Sequence, residues 1–396
     1  MGQAPINPEA ELSPSAFPTR RDALRTLAAS AVSTLGIGCA SGQVTSTNAA
    51  RAMPLSVGAV PRWRGADVSF LPMYESLNCT YFDGTAQADA LSILASRGMN
   101  LLRLRLWHTP QGGWCNLEHT LAMAKRAHAL GLQLLLDIHY SDTWADPGQQ
   151  TPPAAWAGLP LATMAERVHE YTCGAVAALA AQGTPPASVQ IGNEITDGLL
   201  WPVGRISASG WSNCRTLLNA GAAAVRDALP AARPAKVMLH IDRGGNNSQA
   251  RWWYDNVSSG SNAVVFDMIG LSYYPWWHGT LQAFESNAND LASRYGKPVF
   301  LVETAYPWTL GWNDSQSNFV GLSSQLLPGY PATPAGQEAF LRRVREIMDG
   351  LPRRLGVGVC WWAPEFVAWP GIPTPWENLT LFDFQRRVLP GASALG

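Results

Sequence analysis

Short runs of apolar, β-prone residues recur along this chain with helical segments between them, and this alternation constrains the fold more than any other feature. Eight runs occupy residues 65–69, 101–107, 133–139, 188–192, 236–241, 268–273, 299–302 and 356–362. Helical segments are predicted at 85–97, 117–130, 161–182, 211–228, 281–295 and 336–350. Strands that alternate with helices form parallel sheets. Eight of them predict either a closed (β/α)8 barrel or a large open α/β sheet.

The residues that end the eight runs favour the closed barrel. In such barrels the active site lies at the carboxyl-terminal mouth, and here these ends carry polar and aromatic side chains. They are Asp67, Arg103 with Arg105, His139, Asn193 with Glu194, His240 with Asp242, Tyr273 with Tyr274, Glu303, and Trp361 with Trp362. An open sheet gives no reason for all eight strand ends to carry polar or aromatic side chains. No glycine-rich phosphate motif follows the first run, so a dinucleotide site has no support. We therefore expect a single α/β domain with the (β/α)8 fold.

The composition fits a globular domain that binds neither nucleic acid nor membrane. Of 396 residues, 47% are hydrophobic and 14% charged, so a large core can be buried. A formal net charge of −1 gives no general attraction to phosphate backbones or anionic lipid. No later run of about 18 apolar residues predicts a membrane span. The 17 tryptophans are many, and because such rings cover the apolar faces of sugars, we expect a carbohydrate ligand.

The first 60 residues predict an export signal and a linker. The sequence TRRDAL at 19–24 resembles a twin-arginine start, and 27–38 is a short apolar run that ends near Cys39. We expect 1–39 to be the signal, 40–60 a linker and 61–390 the folded domain of an exported bacterial protein, which is periplasmic, outer-membrane-attached or extracellular. A lipid anchor at Cys39 is the alternative, although Gly36 stands where leucine is usual, and an ordinary leader is favoured.

The five later cysteines show no metal-ligand spacing. One or two disulfides would suit an oxidising compartment, with a connectivity that sequence alone does not give. These cysteines are Cys79, Cys115, Cys173, Cys214 and Cys360.

Glu194 and Glu303 are the candidate catalytic pair. They follow runs four and seven, which point into one mouth once the barrel closes. Glycoside hydrolysis needs one carboxyl group that protonates the leaving oxygen and a second that attacks or assists at the anomeric carbon. Enzymes that retain configuration hold the two about 5 to 5.5 Å apart. Asn193 sets an amide beside Glu194, where it can hold the sugar 2-hydroxyl.

The two carboxyl groups must titrate differently, and the sequence offers partners that would keep Glu303 ionised. Arg103 and Arg105 alternate onto the same face of their strand, so at least one can point inward. Pairing with a structural acid is the alternative for each arginine. Tyr273 or Tyr274 can donate a hydrogen bond to the same carboxylate, and because strand neighbours face opposite ways, the other tyrosine should belong to the core.

Residues 64–384 resemble the endo-β-1,4-galactanases of glycoside hydrolase family 53, which are (β/α)8 retaining glycosidases. The most specific match is LDIHYSDTWADP at 136–147, followed by QTP at 150–152 and Trp156. Further matches are GADVS at 65–69, RLRLW at 103–107, GNEIT at 192–196, IGLSYYPWW at 269–277 and VETAYP at 302–307.

The resemblance implies an arabinogalactan endo-β-1,4-galactanase that cuts the β-1,4-galactan of pectic side chains internally. Glu194 would be the acid/base and Glu303 the nucleophile of a double displacement. The reaction would need no cofactor, the partner would be the polysaccharide, and we expect a monomer. The substrate-binding candidates are Asp67, Arg103, Arg105, His139, Trp144, Asn193, Asp242, Tyr273, Tyr274, Trp276 and Trp362. Of these, Trp144, Trp276 and Trp362 are the expected stacking platforms, with core packing as the alternative.

Two loops raise the question of a metal. His139, Asp142 and Asp146 lie close in sequence but lack a recognised zinc spacing, and in the family this loop shapes the sugar cleft. The segment 313–318 is rich in oxygen ligands, and bacterial relatives carry structural calcium in that region. Calcium near Asp314 and Asn318 is therefore a further hypothesis.

Three other functions are compatible with the barrel. Another endo-β-glycanase such as a mannanase would share the paired glutamates, but the loop after the third run argues against it. A polysaccharide-binding barrel without chemistry should lack one of the two carboxylates, and both are present. A metal-dependent barrel hydrolase would need histidines on the first strand, where Asp67 stands alone.

Overall fold

The computed structural model describes residues 62–396, and within them eight parallel strands form the centre of the molecule. The predicted export signal, the linker and Cys39 lie outside the described residues. The strands are β1 (Trp63–Asp67), β2 (Leu101–Leu106), β3 (Gln133–Ile138), β4 (Ser188–Ile191), β5 (Lys236–Ile241), β6 (Met268–Ser272), β7 (Val299–Thr304) and β8 (Gly356–Trp362).

The eight strands close into a ring. Each pairs with its sequence neighbours, and β1 pairs with both β2 and β8. Asp67 is in register with Arg103 on one side and with Trp362 on the other. The open-sheet alternative is therefore excluded, and the predicted (β/α)8 barrel is confirmed. Closure brings all eight carboxyl ends to one mouth.

The helices pack around this ring. They are α1 (Leu71–Ser76), α2 (Ala90–Ser96), α3 (Leu117–Ala129), α4 (Leu161–Ala181), α5 (Ile206–Ala228), α6 (Asn247–Val257), α7 (Pro275–His278), α8 (Leu281–Tyr295) and α9 (Pro334–Asp349). Four predicted segments, 117–130, 161–182, 281–295 and 336–350, coincide with α3, α4, α8 and α9 to within about two residues. Among the described residues, no helix is long and apolar enough to cross a bilayer.

Two predicted helices differ from the structure. The first half of 85–97 is extended, because Ala86–Ala88 pairs with Tyr81–Asp83 as a small antiparallel hairpin. The helix begins only after Asp89, whose carboxylate accepts the backbone N–H groups of Leu91 and Ser92 as an N-cap. The segment predicted at 211–228 starts earlier, at Ile206, and is interrupted at Gly210, where φ is +71°. Helix α6 was not among the predicted segments.

The inside of the barrel changes from apolar to polar along its axis. Leu101 and Phe300 belong to a small buried cluster inside the ring, whereas Leu102 and Leu104 pack outward against the helices. Because side chains alternate along a strand, the residue two positions after Leu101 also points inward, and this is Arg103. Polar groups thus collect at the mouth, on a rigid apolar base.

All five cysteines in the described residues are buried, and none of them is joined to another in a disulfide. The disulfides that an oxidising compartment would allow are therefore not formed among them.

Candidate active site

Arg103 is the centre of a buried ionic network at the mouth. Its Nη1 lies 2.8 Å from Oδ2 of Asp67 and 2.9 Å from Oε1 of Glu303, and its Nη2 donates to Oδ2 of Asp137 at 2.7 Å. Nη2 also donates to Oδ1 of Asn193 at 2.9 Å. The side chain is only 1% exposed. One guanidinium therefore orients groups from β1, β3, β4 and β7.

The charges in this network stabilise one another. Burial alone would lower the pKa of Arg103, but Asp137, Glu303 and Asp67 outweigh it and raise that pKa above its ordinary value. Burial alone would likewise raise the pKa of Asp137, yet Arg103 and His139 hold it below its ordinary value. The guanidinium and the Asp137 carboxylate thus stay charged at neutral pH.

Glu303 has a hydrogen-bond or ion-pair donor on each carboxylate oxygen. Arg103 contacts Oε1, and the hydroxyl of Tyr274 donates to Oε2 at 3.0 Å. The residue is 1% exposed. Donors at both oxygens stabilise a carboxylate and fix the direction of its lone pairs.

The other arginine and the other tyrosine have different roles. The guanidinium of Arg105 lies 4.1 Å from the ring centroid of Trp144 and 4.4 Å from that of Phe70, so it supports an aromatic wall. The Tyr273 hydroxyl donates to the Gly279 carbonyl, and its ring stacks on Phe284. Tyr273 is therefore the core member of the pair, as strand alternation requires.

Glu194 sits on a tight, left-handed turn at the end of β4. Its φ is +47° and that of Gly192 is +79°, where an added Cβ would lie 2.6 Å from Ile195. A non-glycine residue in this conformation costs about 1 to 2 kcal/mol, and such positions concentrate at functional sites. The turn directs the carboxyl group to β6, where Oε1 accepts a hydrogen bond of 2.7 Å from Ser272.

Ser272 lies between the two glutamates in the strand order: it is paired with Glu303 and hydrogen-bonded to Glu194. Its Cα is in register with that of Glu303 on the neighbouring strand, across an irregularity between Leu271 and Ser272. Its hydroxyl reaches Glu194 and also pairs with Nε2 of His240 at 2.8 Å. Glu194, which follows β4, and Glu303, on β7, are thus each next to Ser272, one through a hydrogen bond and the other through strand pairing.

Asn193 is held from several sides. Its Oδ1 accepts from Arg103 and from Nε2 of Gln190, and its Nδ2 donates one hydrogen to the Ala145 carbonyl at 2.8 Å. The backbone carbonyl of Asn193 accepts from Gln150 at 2.7 Å. An amide nitrogen carries two hydrogens, so the second one of Nδ2 can serve a ligand hydroxyl.

His139 is a buried neutral imidazole. Its Nδ1 accepts from the Trp107 indole at 3.2 Å and from the Ala145 N–H at 3.1 Å, which places the ring hydrogen on Nε2, 3.0 Å from Asp137. Burial lowers the pKa of His139, and the opposing effect of Asp137 does not restore it. The described residues contain no group of three or more His, Cys, Asp or Glu side chains that could hold a metal.

The two other predicted acids are enclosed by protein donors. Asp67 accepts from Arg103 and from the Ser69 N–H. Asp242 accepts from the Thr196 hydroxyl and pairs with Arg243; its pKa is raised because burial outweighs these partners.

The predicted platforms line the mouth to different degrees. Trp144 is half-buried, with its ring centroid 5.9 Å from that of Trp362. Trp362 is 4% exposed and packs edge-on against Trp376 at 4.5 Å. Trp276 is half-buried, 5.4 Å from Tyr274. Trp144 and Trp276 therefore offer more ring surface than Trp362.

The segment proposed for calcium is held by direct hydrogen bonds. Asp314 accepts the N–H groups of Gln316 and Thr374, one on each carboxylate oxygen, at 2.6 and 2.7 Å. Asn318 donates to the Gly311 carbonyl. Ca²⁺ takes six to eight oxygen ligands; both oxygens of Asp314 already accept backbone hydrogens, whereas the buried Oδ1 of Asn318 and Oε2 of Glu377 have no hydrogen-bond partner among the described residues.

The sequence does not predict three site residues: Asp137, Gln190 and Ser272. Asp137 and Gln190 lie inside predicted strands at inward positions, a signal that strand alternation could have revealed. His240 was recognised at a strand end but given no role. Nothing in the sequence singles out Ser272.

Comparison with known proteins places the whole described domain in one family. Residues 63–395 match the family model described as glycosyl hydrolase family 53. An uncharacterized protein of Niallia circulans is 44% identical over 343 residues, 84% of this chain and 92% of the relative. A protein of Aspergillus terreus named probable arabinogalactan endo-beta-1,4-galactanase A is 37% identical over 351 residues, 87% of this chain and 97% of the relative. The solved family 53 catalytic domain of Ignisphaera aggregans superimposes with a TM-score of 0.80 at 34% identity, covering 87% of this chain and 98% of that one.

Proposed function

The chain belongs to glycosyl hydrolase family 53, and we propose that it is an arabinogalactan endo-β-1,4-galactanase that cleaves galactan with retention of anomeric configuration. The observation that carries the proposal is the buried pair itself. Glu303 is fixed by Arg103 and Tyr274, and Glu194 accepts a hydrogen bond from Ser272, whose Cα is in register with that of Glu303. The galactan substrate is supported by the name of the Aspergillus terreus relative.

The first step forms a covalent intermediate. A carboxylate oxygen of Glu303 attacks the anomeric carbon and forms a glycosyl ester, while the bond from that carbon to the leaving oxygen breaks. Glu194 transfers its proton to the leaving oxygen, so the shortened chain departs as an alcohol. Arg103 and Tyr274 hold the attacking carboxylate in one orientation, which lowers the entropic cost of reaching the transition state.

The second step reverses these roles. Glu194, now a carboxylate, takes a proton from water as the water oxygen attacks the anomeric carbon. The ester bond breaks, Glu303 is released as a carboxylate, and two inversions restore the original configuration. Only protein groups and water take part, so the proposed reaction uses no cofactor.

Asn193 is proposed to hold the 2-hydroxyl of the sugar that occupies the reacting position. Its amide is fixed by Arg103, Gln190 and Ala145, and one Nδ2 hydrogen remains for the ligand. Hydrogen bonds to this hydroxyl strengthen in the transition state. Trp144 and Trp276 supply ring surface for neighbouring sugars.

The two roles can be tested separately. Glu303→Gly and Glu194→Gly should each lose at least about 1000-fold in kcat on galactan. With a nitrophenyl β-1,4-galactobioside, whose leaving group departs without a proton, azide should then rescue each variant with a different product: the α-glycosyl azide from Glu303→Gly and the β-glycosyl azide from Glu194→Gly. Full activity of either variant, or α-configured product from the wild type in a time-resolved NMR experiment, would overturn the mechanism.

The substrate can be tested with a polysaccharide panel. Incubation with galactan, mannan, xylan and arabinan should release oligosaccharides from galactan only. Intermediate-sized products early in the reaction are expected for an endo-acting enzyme. Release of oligosaccharides from mannan and not from galactan would replace the proposal with the mannanase alternative.

We also propose that the protein acts as an exported monomer. The twin-arginine-like start at 19–24 supports export, and a polymer of pectic origin lies outside the cell. Fractionation of cells that express the full chain should place activity outside the cytoplasm. Cys39→Ser should leave that distribution unchanged if the leader is an ordinary one, and size-exclusion chromatography checks the monomer.

A further inference from the structure

A pocket of about 210 Å³ opens between the segment after β5 and helix α7. Its lining includes Asp242, Arg243, Asn246, Gln249, Trp277 and His278. It is smaller than the roughly 300 to 1000 Å³ of pockets that hold drug-sized ligands, so its size suits a single sugar ring.

The pocket adjoins the strand end that carries Glu194. Asp242 follows β5, which pairs with β4, and the Thr196 hydroxyl two residues after Glu194 donates to Asp242. Glu194 itself faces β6 through Ser272. The proposed proton donor and the pocket therefore share the β5–β6 side of the mouth.

The aromatic wall of Trp144 and Trp362 lies on another side. These residues follow β3 and end β8, and in the closed ring β8 and β3 flank β1 and β2, across the barrel from β5 and β6. A chain that crosses the mouth between the two glutamates would touch this wall with one end and the pocket with the other. Because Glu194 protonates the leaving oxygen, the end at β5 and β6 is the leaving group.

Trp277 gives the pocket a fixed apolar surface. It is 47% exposed, although its ring packs edge-on against Tyr274 at 5.3 Å and against Phe319 at 5.6 Å. An exposed ring that is already held in place loses little rotamer freedom when a ligand stacks on it. The C–H face of a galactose ring is suited to such a surface.

The polar groups of the pocket favour a neutral ligand with many hydroxyls. Asp242 and Arg243 form an ion pair, so their charges compensate each other. Asn246 and Gln249 are exposed; the Gln249 amide can donate and accept hydrogen bonds, and the Asn246 amide, whose Oδ1 caps α6 by accepting from the Gln249 N–H, can donate through Nδ2. An anionic ligand such as a uronate would find no unpaired cation among these lining residues.

We propose that this pocket, built around Trp277, binds a galactose residue of the leaving group. The inference rests on the proposed function and adds to it the place where the departing part of the chain is held. In this proposal Trp277, Asn246 and Gln249 set the preferred substrate length by binding the leaving group, and they take no part in breaking the glycosidic bond.

The test compares two substrates. One is a β-1,4-galactohexaose labelled at its reducing end, and the other is a β-1,4-galactobiosyl fluoride, whose leaving group is a single fluoride ion that cannot occupy the pocket. Trp277→Ala should lower kcat/KM on the hexaose about 10-fold or more and leave kcat/KM on the fluoride substrate within about twofold of the wild type. Trp252→Ala is the matched control, because Trp252 is 51% exposed on α6, away from the pocket lining, and should change neither value.

Each other outcome has a defined meaning. A wild type that does not cleave the hexaose would overturn the proposed function. If the wild type cleaves it and Trp277→Ala equals Trp252→Ala, or loses activity equally on both substrates, the pocket is not a leaving-group site. If Trp277→Ala does not fold, the double variant Asn246→Ala with Gln249→Ala replaces it. That variant should shift cleavage of the labelled hexaose towards shorter labelled products, and an unchanged product pattern would overturn the inference.

Discussion

Nη1 of Arg103 lies 2.9 Å from Oε1 of Glu303, and the same guanidinium binds Asp67 and Asp137. The three carboxylates come from three different strands, and all are 2% exposed or less. A buried carboxylate that loses its cation is left with an uncompensated charge, which is far more costly than the loss of a surface ion pair. The role proposed for Glu303 thus depends on Arg103, which keeps its carboxylate charged and oriented.

We predict that Arg103→Lys lowers kcat on galactan at least about 100-fold. Lysine keeps the charge but cannot contact three carboxylates with a planar fork, so Glu303 loses its fixed orientation. Arg126→Lys is the control, since Arg126 pairs with Glu75 and Asp89 away from the mouth and should retain wild-type kcat. If kcat of Arg103→Lys on galactan lies within threefold of the wild-type value, Glu303 does not depend on the guanidinium geometry of Arg103.

We predict that Tyr274→Phe lowers kcat/KM about 10- to 100-fold. The substitution removes the donor to Oε2 of Glu303, and a hydrogen bond to a charged group is worth about 1.5 to 3 kcal/mol. Tyr273→Phe is the matched control: its hydroxyl bonds the Gly279 carbonyl, so it should cost about 1 kcal/mol of stability and little activity. Steady-state kinetics and thermal melts of both variants test this prediction. Equal losses of kcat/KM in the two variants would contradict the role proposed for Tyr274.

Glu365 is predicted to make the protein less stable as the pH rises. It is 1% exposed and its Oε2 has no hydrogen-bond partner in the described part of the chain; burial, with a smaller effect from Asp67, raises its pKa well above the ordinary value. Between the ordinary pKa of about 4.3 and the raised one, the folded state holds a proton that the unfolded state has released, so stability falls with increasing pH.

Glu365→Gln removes this titration. Its melting temperature should therefore decline less than that of the wild type between pH 5 and the pH at which the folded-state Glu365 ionises. Glu118→Gln, at an exposed position on α3, should follow the wild-type curve. Parallel curves for the wild type and Glu365→Gln would show that Glu365 is not a buried neutral acid.

For the segment around Asp314 we expect that chelation of calcium leaves the melting temperature unchanged. Both oxygens of Asp314 already accept backbone N–H groups, including that of Thr374, which lies far along the chain. Asp314→Ala should instead lower the melting temperature, because two hydrogen bonds to a carboxylate are lost. A fall in melting temperature with EDTA that added Ca²⁺ reverses would establish the calcium hypothesis.

The barrel could be predicted because its signals are local. Strand period, apolar runs and the polar residue at each strand end are all visible in sequence, and so are Glu194 and Glu303. The sequence could not show which of Arg103 and Arg105 binds Glu303, because both lie on the same face of their strand. Their surroundings distinguish them: Arg103 contacts carboxylates from β1, β3 and β7, whereas Arg105 packs on the rings of Phe70 and Trp144.

The position of Ser272 in the site could not be predicted from the sequence either. Its contact with Glu194 joins β6 to the end of β4, which is not its neighbour in the ring, and its register with Glu303 follows a shift between Leu271 and Ser272. A shift of this kind leaves no trace in residue type. The hairpin that replaces the first half of the predicted 85–97 helix has a similar origin, because the pairing of Ala86–Ala88 with Tyr81–Asp83 overrides a local helical preference.

Because the two glutamates come together only in the closed barrel, hydrolytic activity should measure whether the whole barrel is folded. Glu194 and Glu303 come from strands that are distant in sequence and meet only when the eight strands are joined. A fragment that ends before β7 would contain Glu194, the proposed proton donor, but not Glu303, and a circularly permuted chain that keeps all eight strands should stay active. In denaturant, hydrolysis and the signal of barrel unfolding should disappear together.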